Sequence, residues 1–263
     1  MQTLTVYLVQ THIEWENPKA NLARLELAIS QTLPNSLVVL PEMFSTGFTM
    51  NPALHAETMQ GESLQWMRAL SHDRMICGSL SIQEDGKYFN RFFAVYKGEI
   101  YGQYDKKYLF SFGDEPSHYT AGDRNCIVEY NGWRIAPFIC FDLRFPESMR
   151  DTMLNSSQDK APHILLFVAN WPISRIGAWD ALLIARAIEN QAYTLGVNRL
   201  GIDGNGIEHN GHSQAIDFSG LYLHEPNQTE GVSKIVLEME PLSQFRSKFP
   251  FLKDARGGSH FCE

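Results

Sequence analysis

The chain has 263 residues, of which 44% are hydrophobic and 20% charged, the balance of an ordinary globular protein with ample core for one large α/β domain or two small ones. A formal net charge of −8, with no cluster of Lys or Arg, argues against a nucleic-acid or anionic-membrane surface. No apolar run approaches the length of a membrane span.

Residues 3–10 (TLTVYLVQ) alternate apolar and polar side chains and predict a first strand. Asn17-Pro18 supplies an N-cap and a proline at the first helical position, and Leu22, Leu25, Ile29 and Leu33 recur at helical spacing up to Pro34. Leu37-Val38-Val39-Leu40-Pro41-Glu42 reads as a short, fully buried strand stopped by proline. Residues 62–73 predict a helix and 75–82 a strand. Asp85-Gly86, Lys97-Gly98 and Asn131-Gly132 are hairpin turns, with Ser219-Gly220 a weaker fourth, so 75–139 reads as a meander.

Residues 135–139 form another buried strand, ending at Cys140 and a short turn before Pro146, where a helix over 146–154 begins. Residues 163–169 (HILLFVA) are a buried strand ending at Asn170-Trp171-Pro172. A helix over 178–192 presents Trp179, Leu182, Leu183, Ala187 and Ile188 on one face. A strand over 193–198, a Gly/Asn-rich loop over 201–211 and three late strands (212–218, 221–225, 232–239) follow. No repeat or interdomain linker is present, and periodicity alone indicates one domain with two sheets faced by helices.

Three strands end in reactive groups: Glu42, Cys140 and Asn170-Trp171. Glu42 against a buried run needs a partner, and Lys106 and Lys107, set among aromatic neighbours, are candidates. Glu115 follows, then the turn Ala121-Gly122-Asp123. A thiol, a carboxylate and an ammonium can together hydrolyse an amide. Each residue also has a plainer role: an inert core cysteine, a structural carboxylate, edge lysines, a surface-loop glutamate. For Cys140 taken alone, inert packing is the better reading.

Together these pieces resemble the nitrilase superfamily of carbon–nitrogen hydrolases over about residues 3–240. The glutamate motif is similar to Leu40-Pro41-Glu42-Met43-Phe44 with Gly47-Phe48, and the lysine motif to Tyr104-Asp105-Lys106-Lys107-Tyr108-Leu109-Phe110. The cysteine motif is similar to Cys140-Phe141-Asp142-Leu143-Arg144-Phe145-Pro146-Glu147. Ala169-Asn170-Trp171-Pro172, 185–191 and Asn198-Arg199 also match. The resemblance implies a four-layer α-β-β-α sandwich, with Glu42 as acid–base, Lys106 as the lysine, Cys140 as nucleophile and Glu115 positioning lysine and substrate. Lys106 is preferred to Lys107 by its offset from Leu109-Phe110, although Tyr108 stands where histidine is usual. The Phe141 N–H is implied as an oxyanion contact.

Within the superfamily the cysteine motif, Asn170-Trp171-Pro172 and 186–193 look most like the omega-amidases, which hydrolyse the terminal amide of 2-oxoglutaramate and 2-oxosuccinamate. Such an anionic substrate needs a cation for its distant carboxylate; Arg175 is the candidate, a surface arginine the alternative. Phe44, Phe48 and Trp171 are candidate pocket walls, or core. The expected enzyme uses no cofactor or metal. The rivals are another amidase, a carbamoylase or a nitrilase of the same superfamily, a silent interaction protein on the same fold, and a Cys–His hydrolase using His209 or His212.

The start MQTLTVYLVQ lacks the features of a signal peptide, and Cys77, Cys126, Cys140 and Cys262 have neither paired nor metal-ligand spacing, so reduced thiols in a cytoplasm are expected. The resemblance also implies a homodimer formed through the helix layer beside the cysteine. Residues 1–240 are then the hydrolase domain and 241–263 a tail, whose amphipathic stretch LSQFRSKFPF fits docking on that domain or on a partner.

Overall fold

A computed structural model describes residues 2–155 and 160–255. Its first strands are β1 (Thr3–Gln10), β2 (Leu37–Val39), β3 (Met75–Glu84), β4 (Lys87–Tyr96), β5 (Glu99–Asp105), β6 (Val128–Tyr130) and β7 (Trp133–Ile139). Those that follow are β8 (Ile164–Ala169), β9 (Tyr193–Asn198), β10 (Leu200–Ile202), β11 (Glu208–Asn210), β12 (Gln214–Ile216), β13 (Tyr222–His224) and β14 (Gly231–Glu238). The helices are α1 (Pro18–Ser30), α2 (Pro52–His55), α3 (Glu62–Leu70), α4 (Pro146–Asn155), α5 (Ile176–Asn190) and α6 (Met239–Lys248).

Two six-stranded sheets result, in the orders β14-β1-β2-β3-β4-β5 and β13-β12-β9-β8-β7-β6. Each has a parallel centre, β1-β2-β3 in one and β7-β8-β9 in the other, flanked by antiparallel strands. Strand alternation sorts the first sheet's side chains cleanly. Leu4, Val6, Leu8, Leu37, Val39, Cys77, Phe92 and Ala94 join the core between the sheets, while Tyr7, Val9, Val38, Leu40, Ile76, Phe93 and Val95 pack under α1 and α3. On the other side Trp179 and Leu183 of α5 close against Gly196 of β9, where a Cβ would meet both. The architecture is therefore the four-layer α-β-β-α sandwich.

Local chemistry explains most boundaries. Asn17 caps α1 by accepting the Ala20 N–H at 3.2 Å, with Pro18 opening the helix. Asp85-Gly86, Lys97-Gly98 and Asn131-Gly132 have φ values of 48–52° and 72–78°, the pairs of positive angles a two-residue hairpin requires.

Five expectations change. The helix expected to run up to Pro34 stops at Ser30, leaving Leu33 exposed, and Ile188 of α5 faces outward rather than inward. The helix over 62–73 ends at Leu70. The supposed meander splits: β3–β5 end one sheet, β6–β7 begin the other, and residues 106–127 cross between them without a strand. Residues 201–211 are not a plain loop, because β10 and β11 pair within them as a hairpin. Periodicity shows neither a sheet change nor a three-residue strand. Cys262 lies outside the described residues.

Phe138 tests the inter-sheet core. Its buried ring stacks on Phe167 at 5.3 Å and meets Tyr104 of the facing sheet edge-on at 6.1 Å. Phe138→Ala is expected to lower stability by about 3–5 kcal/mol, read from the urea midpoint at unchanged m-value.

Candidate active site

Glu42 and Cys140 lie at the carboxyl ends of the parallel strands β2 and β7, where open sheets usually place functional groups. Glu42 lies just past β2 with its side chain wholly buried. Its Oε1 accepts from Asn90 Nδ2 at 2.7 Å and Lys106 Nζ at 3.1 Å, and its Oε2 from the Asn170 N–H at 2.8 Å. Asn170 Nδ2 also donates to the Glu42 carbonyl at 2.8 Å, joining the ends of β2 and β8 across the sheets. Met43 holds φ at +43°, a strained angle for a residue with a side chain.

Lys106, the first residue after β5, is 1% exposed. Its ammonium donates to Glu115 Oε2 at 2.9 Å and Oε1 at 3.1 Å as well as to Glu42. Burial disfavours the charge, but the carboxylates of Glu115 and Glu42 outweigh it and hold Lys106 protonated beyond the usual lysine range. Glu115 is raised by burial despite the lysine, and accepts the Phe110 N–H at 2.6 Å. Asp114, just before it, also has positive φ, +58°.

Cys140 opens a short 3₁₀ turn, Cys140–Arg144, with φ at +45°. Asp142 fixes this turn to the lysine segment. Its Oδ2 accepts from Tyr104 OH and the Ile139 N–H, both at 2.8 Å, and its Oδ1 from the Tyr108 N–H at 2.9 Å. Burial raises its pKa to about 6 although all three donors oppose that. From behind, the Arg186 guanidinium of α5 holds the Leu143 carbonyl at 2.6 Å. The Cys140 thiol is half-buried and is pushed well above its ordinary range, first by desolvation and next by Glu42, with Lys106 opposing. At rest the proton therefore stays on sulfur.

A cavity of about 150 Å³ opens onto Glu42, Lys106 and Cys140. Of the residues singled out in the sequence, Phe48, Phe141, Trp171 and Arg175 also line it. Glu115 stands behind Lys106, outside the lining. Phe44 is a correction: its ring lies in the core under α3, against Trp66 at 5.8 Å, because its position turns it away from the inter-sheet layer. Lys107 points away and bonds Asn125. Tyr108, in place of the usual histidine, stacks on Phe145 at 3.9 Å and reinforces the link between lysine segment and cysteine turn.

Sequence reasoning missed Phe110, Phe112 and Arg144, and the hairpin residues Asp203, Asn205 and Ile207, all of which line the cavity. Arg144 lies over Trp171 at 5.1 Å, and Arg175 over Phe110 at 5.3 Å. The motif segments contained Phe110 and Arg144 but gave no sign of which way they point. His209 also lines the cavity, whereas His212 pairs with Asp180 at 3.0 Å and does not. Among the described residues no group of His, Cys, Asp and Glu could hold a metal ion.

A buried Glu–Lys–Glu cluster facing a thiol on a strained turn suits acyl transfer from an amide, and comparison with known proteins agrees. Residues 5–246 match the carbon-nitrogen hydrolase family, and the chain belongs to it: it is an amide-cleaving hydrolase of the nitrilase type. It is 39% identical to Omega-amidase YafV of Escherichia coli (strain K12), covering 97% of this chain and 98% of that protein. It is 30% identical to 2-oxoglutaramate amidase of Bacillus subtilis (strain 168), over 96% and 97% of the two chains. The crystal structure of XC1258 from Xanthomonas campestris, a CN-hydrolase superfamily protein with an arsenic adduct in its active site, superposes with a TM-score of 0.94. That alignment has 35% identity over 99% of this chain and all of the other.

His209 gives this region a pH signature. Burial and then Arg199 lower its pKa from 6.5 to about 4, so between those values the unfolded chain binds more protons. The stability this represents is complete above pH 6.5 and is lost as pH falls toward 4. Urea midpoints at pH 7 and pH 5 should draw closer together in His209→Asn than in the parent.

Proposed function

We propose that this enzyme is an omega-amidase, hydrolysing the terminal amide of 2-oxo dicarboxylate monoamides such as 2-oxoglutaramate and 2-oxosuccinamate. The observation that carries the reading is the pairing of the buried Glu42–Lys106–Glu115 cluster and Cys140 with two arginines on the wall of one small cavity. The names of the relatives point the same way.

In this reading Glu42 takes the Cys140 proton as sulfur attacks the amide carbon, which avoids ionising a thiol whose free thiolate is disfavoured. The negative charge growing on oxygen is met by the Lys106 ammonium and the Phe141 N–H. Glu115 holds Lys106 in place and charged. Glu42 then gives its proton to the leaving nitrogen, ammonia departs, and a thioester joins the acyl group to Cys140. Water, deprotonated by the same carboxylate, attacks the thioester and releases the 2-oxo dicarboxylate, returning the proton to sulfur. No cofactor takes part.

Arg175 binds the distant carboxylate. Its guanidinium is oriented by Phe110, and among the described residues it has no ion-pair partner. Arg144 adds positive charge to the same wall, and Phe48 and Trp171 supply its apolar surface.

The same reading places the enzyme in the cytoplasm, in keeping with free thiols at Cys77, Cys126 and Cys140, and as a homodimer. Among the described residues no helix is long and apolar enough to cross a membrane. The dimer has support in exposed Ile188, Leu221 and Leu223, with Gly220 packed beside Ile188 on the outer side of α5. Residues 1–240 form the hydrolase domain and 241–263 its tail. The described part of that tail leans on the domain through buried Leu242 and through Phe245, 4.9 Å from Phe218.

Ammonia release from 2-oxosuccinamate, set against a nitrile and an N-carbamoyl amino acid, tests the substrate class; preference for either alternative contradicts it. Glu42→Gln should lower kcat by about 10²–10⁴-fold while His209→Asn keeps most activity. The reverse pattern would indicate a Cys–His hydrolase. Arg175→Ala should raise KM for 2-oxosuccinamate about tenfold or more in a folded protein, and an unchanged KM removes the clamp from the account.

A further inference from the structure

On β3 and β4 the residues facing the second sheet are apolar along most of their length, Met75 and Cys77 on one strand, Phe92 and Ala94 on the other. Toward the active-site end the same face carries Ser79 and Asn90, both wholly buried. Two polar side chains in that layer are unfavourable unless fully hydrogen-bonded.

They are bonded in a defined direction. The Met43 N–H donates to Ser79 Oγ at 2.9 Å, and a backbone N–H cannot accept. The Ser79 hydroxyl proton is thereby directed to Asn90 Oδ1, at 2.9 Å. With Oδ1 so engaged, Asn90 must turn Nδ2 toward the two carboxylates, Glu42 Oε1 at 2.7 Å and Glu115 Oε1 at 3.4 Å. The Asn90 carbonyl accepts the Lys106 N–H at 3.0 Å, so one residue holds the lysine's main chain and the base's side chain together.

We propose that Met43, Ser79 and Asn90 form a one-way hydrogen-bond relay that keeps Glu42 an oriented carboxylate base, with Ser79 and Asn90 as positioning residues for the reaction. The inference rests on Glu42 being that base. Without the relay, the Asn90 amide can turn over and present an oxygen to Glu42 Oε1, which favours the protonated and inactive acid. The other groups facing Glu42 are the Lys106 ammonium, the Glu115 carboxylate, the Cys140 thiol and, further off, the Tyr119 phenol. Of these, Glu115 also accepts from Asn90 Nδ2 and favours the same orientation, while Ser79 is the group that engages Oδ1.

The test is the pH profile of kcat and kcat/KM for Ser79→Ala, with 2-oxosuccinamate as substrate and circular dichroism as the folding control. The expected result is a kcat lower by about tenfold at neutral pH, KM within about twofold, and the acid limb of kcat/KM displaced upward by about one pH unit. Asn90→Asp, which keeps the shape but adds a third carboxylate, should lose about a hundredfold or more; if that variant does not fold, Ser79→Ala decides. A Ser79→Ala enzyme with parental kcat and acid limb, while Glu42→Gln is inactive, overturns the relay alone. A lower kcat with an unmoved acid limb marks a merely structural role and also overturns it. Full activity in Glu42→Gln overturns the reading beneath the relay, and the relay with it.

Discussion

The rest of the site depends on one buried ion cluster: a lysine ammonium held between two carboxylates, all three side chains shielded from solvent. Burying such charges has a large desolvation penalty, and removing one partner typically costs about 3–5 kcal/mol. The cluster therefore does not primarily stabilise the fold. Its value is chemical, because two carboxylates against one ammonium leave a net negative charge beside Cys140. Desolvation first and the Glu42 charge next push the Cys140 thiol up, and in the proposed reaction Glu42 is the group that takes its proton.

Holding the cluster in register takes backbone that is itself unfavourable. Met43, Asp114 and Cys140 all carry positive φ, and each is, or adjoins, a member of the Glu42, Glu115 and Cys140 group. The strain is held by surrounding bonds that leave each segment little alternative. Asn170 ties the end of β8 to Glu42, Asp142 ties the cysteine turn to the lysine segment, and Arg186 fixes the turn from the helix side. Because the Asn170 and Asp142 ties run from one sheet to the other, the four-layer fold is the device that brings three distant motifs within hydrogen-bonding range.

Much of this was legible in the sequence, and the reasons are physical. Buried parallel strands must be apolar on both faces, so LVVL, APFI and ILLFVA announced themselves, and the polar residue ending each run marked the site. The paired positive-φ turns were equally plain. What sequence could not show was orientation across space. Phe44 and Phe48 are four residues apart in one motif, yet one enters the core and the other the cavity. Ser79 and Asn90 had a readable signal, polar residues at alternating positions where their neighbours are apolar, but it acquires meaning only once the partner strand's register is known. The hairpin over 201–211 was hidden because strands of three residues leave no period to detect.

The most direct test of the central claim is to quench the enzyme within its first turnovers of 2-oxosuccinamate and weigh the proteolytic peptides. The account predicts an adduct equal to substrate minus ammonia on the peptide carrying Cys140, absent from Cys140→Ser and accumulating when thioester hydrolysis is slowed. Ammonia release at the parental rate from Cys140→Ser, or an adduct on another residue, would contradict it.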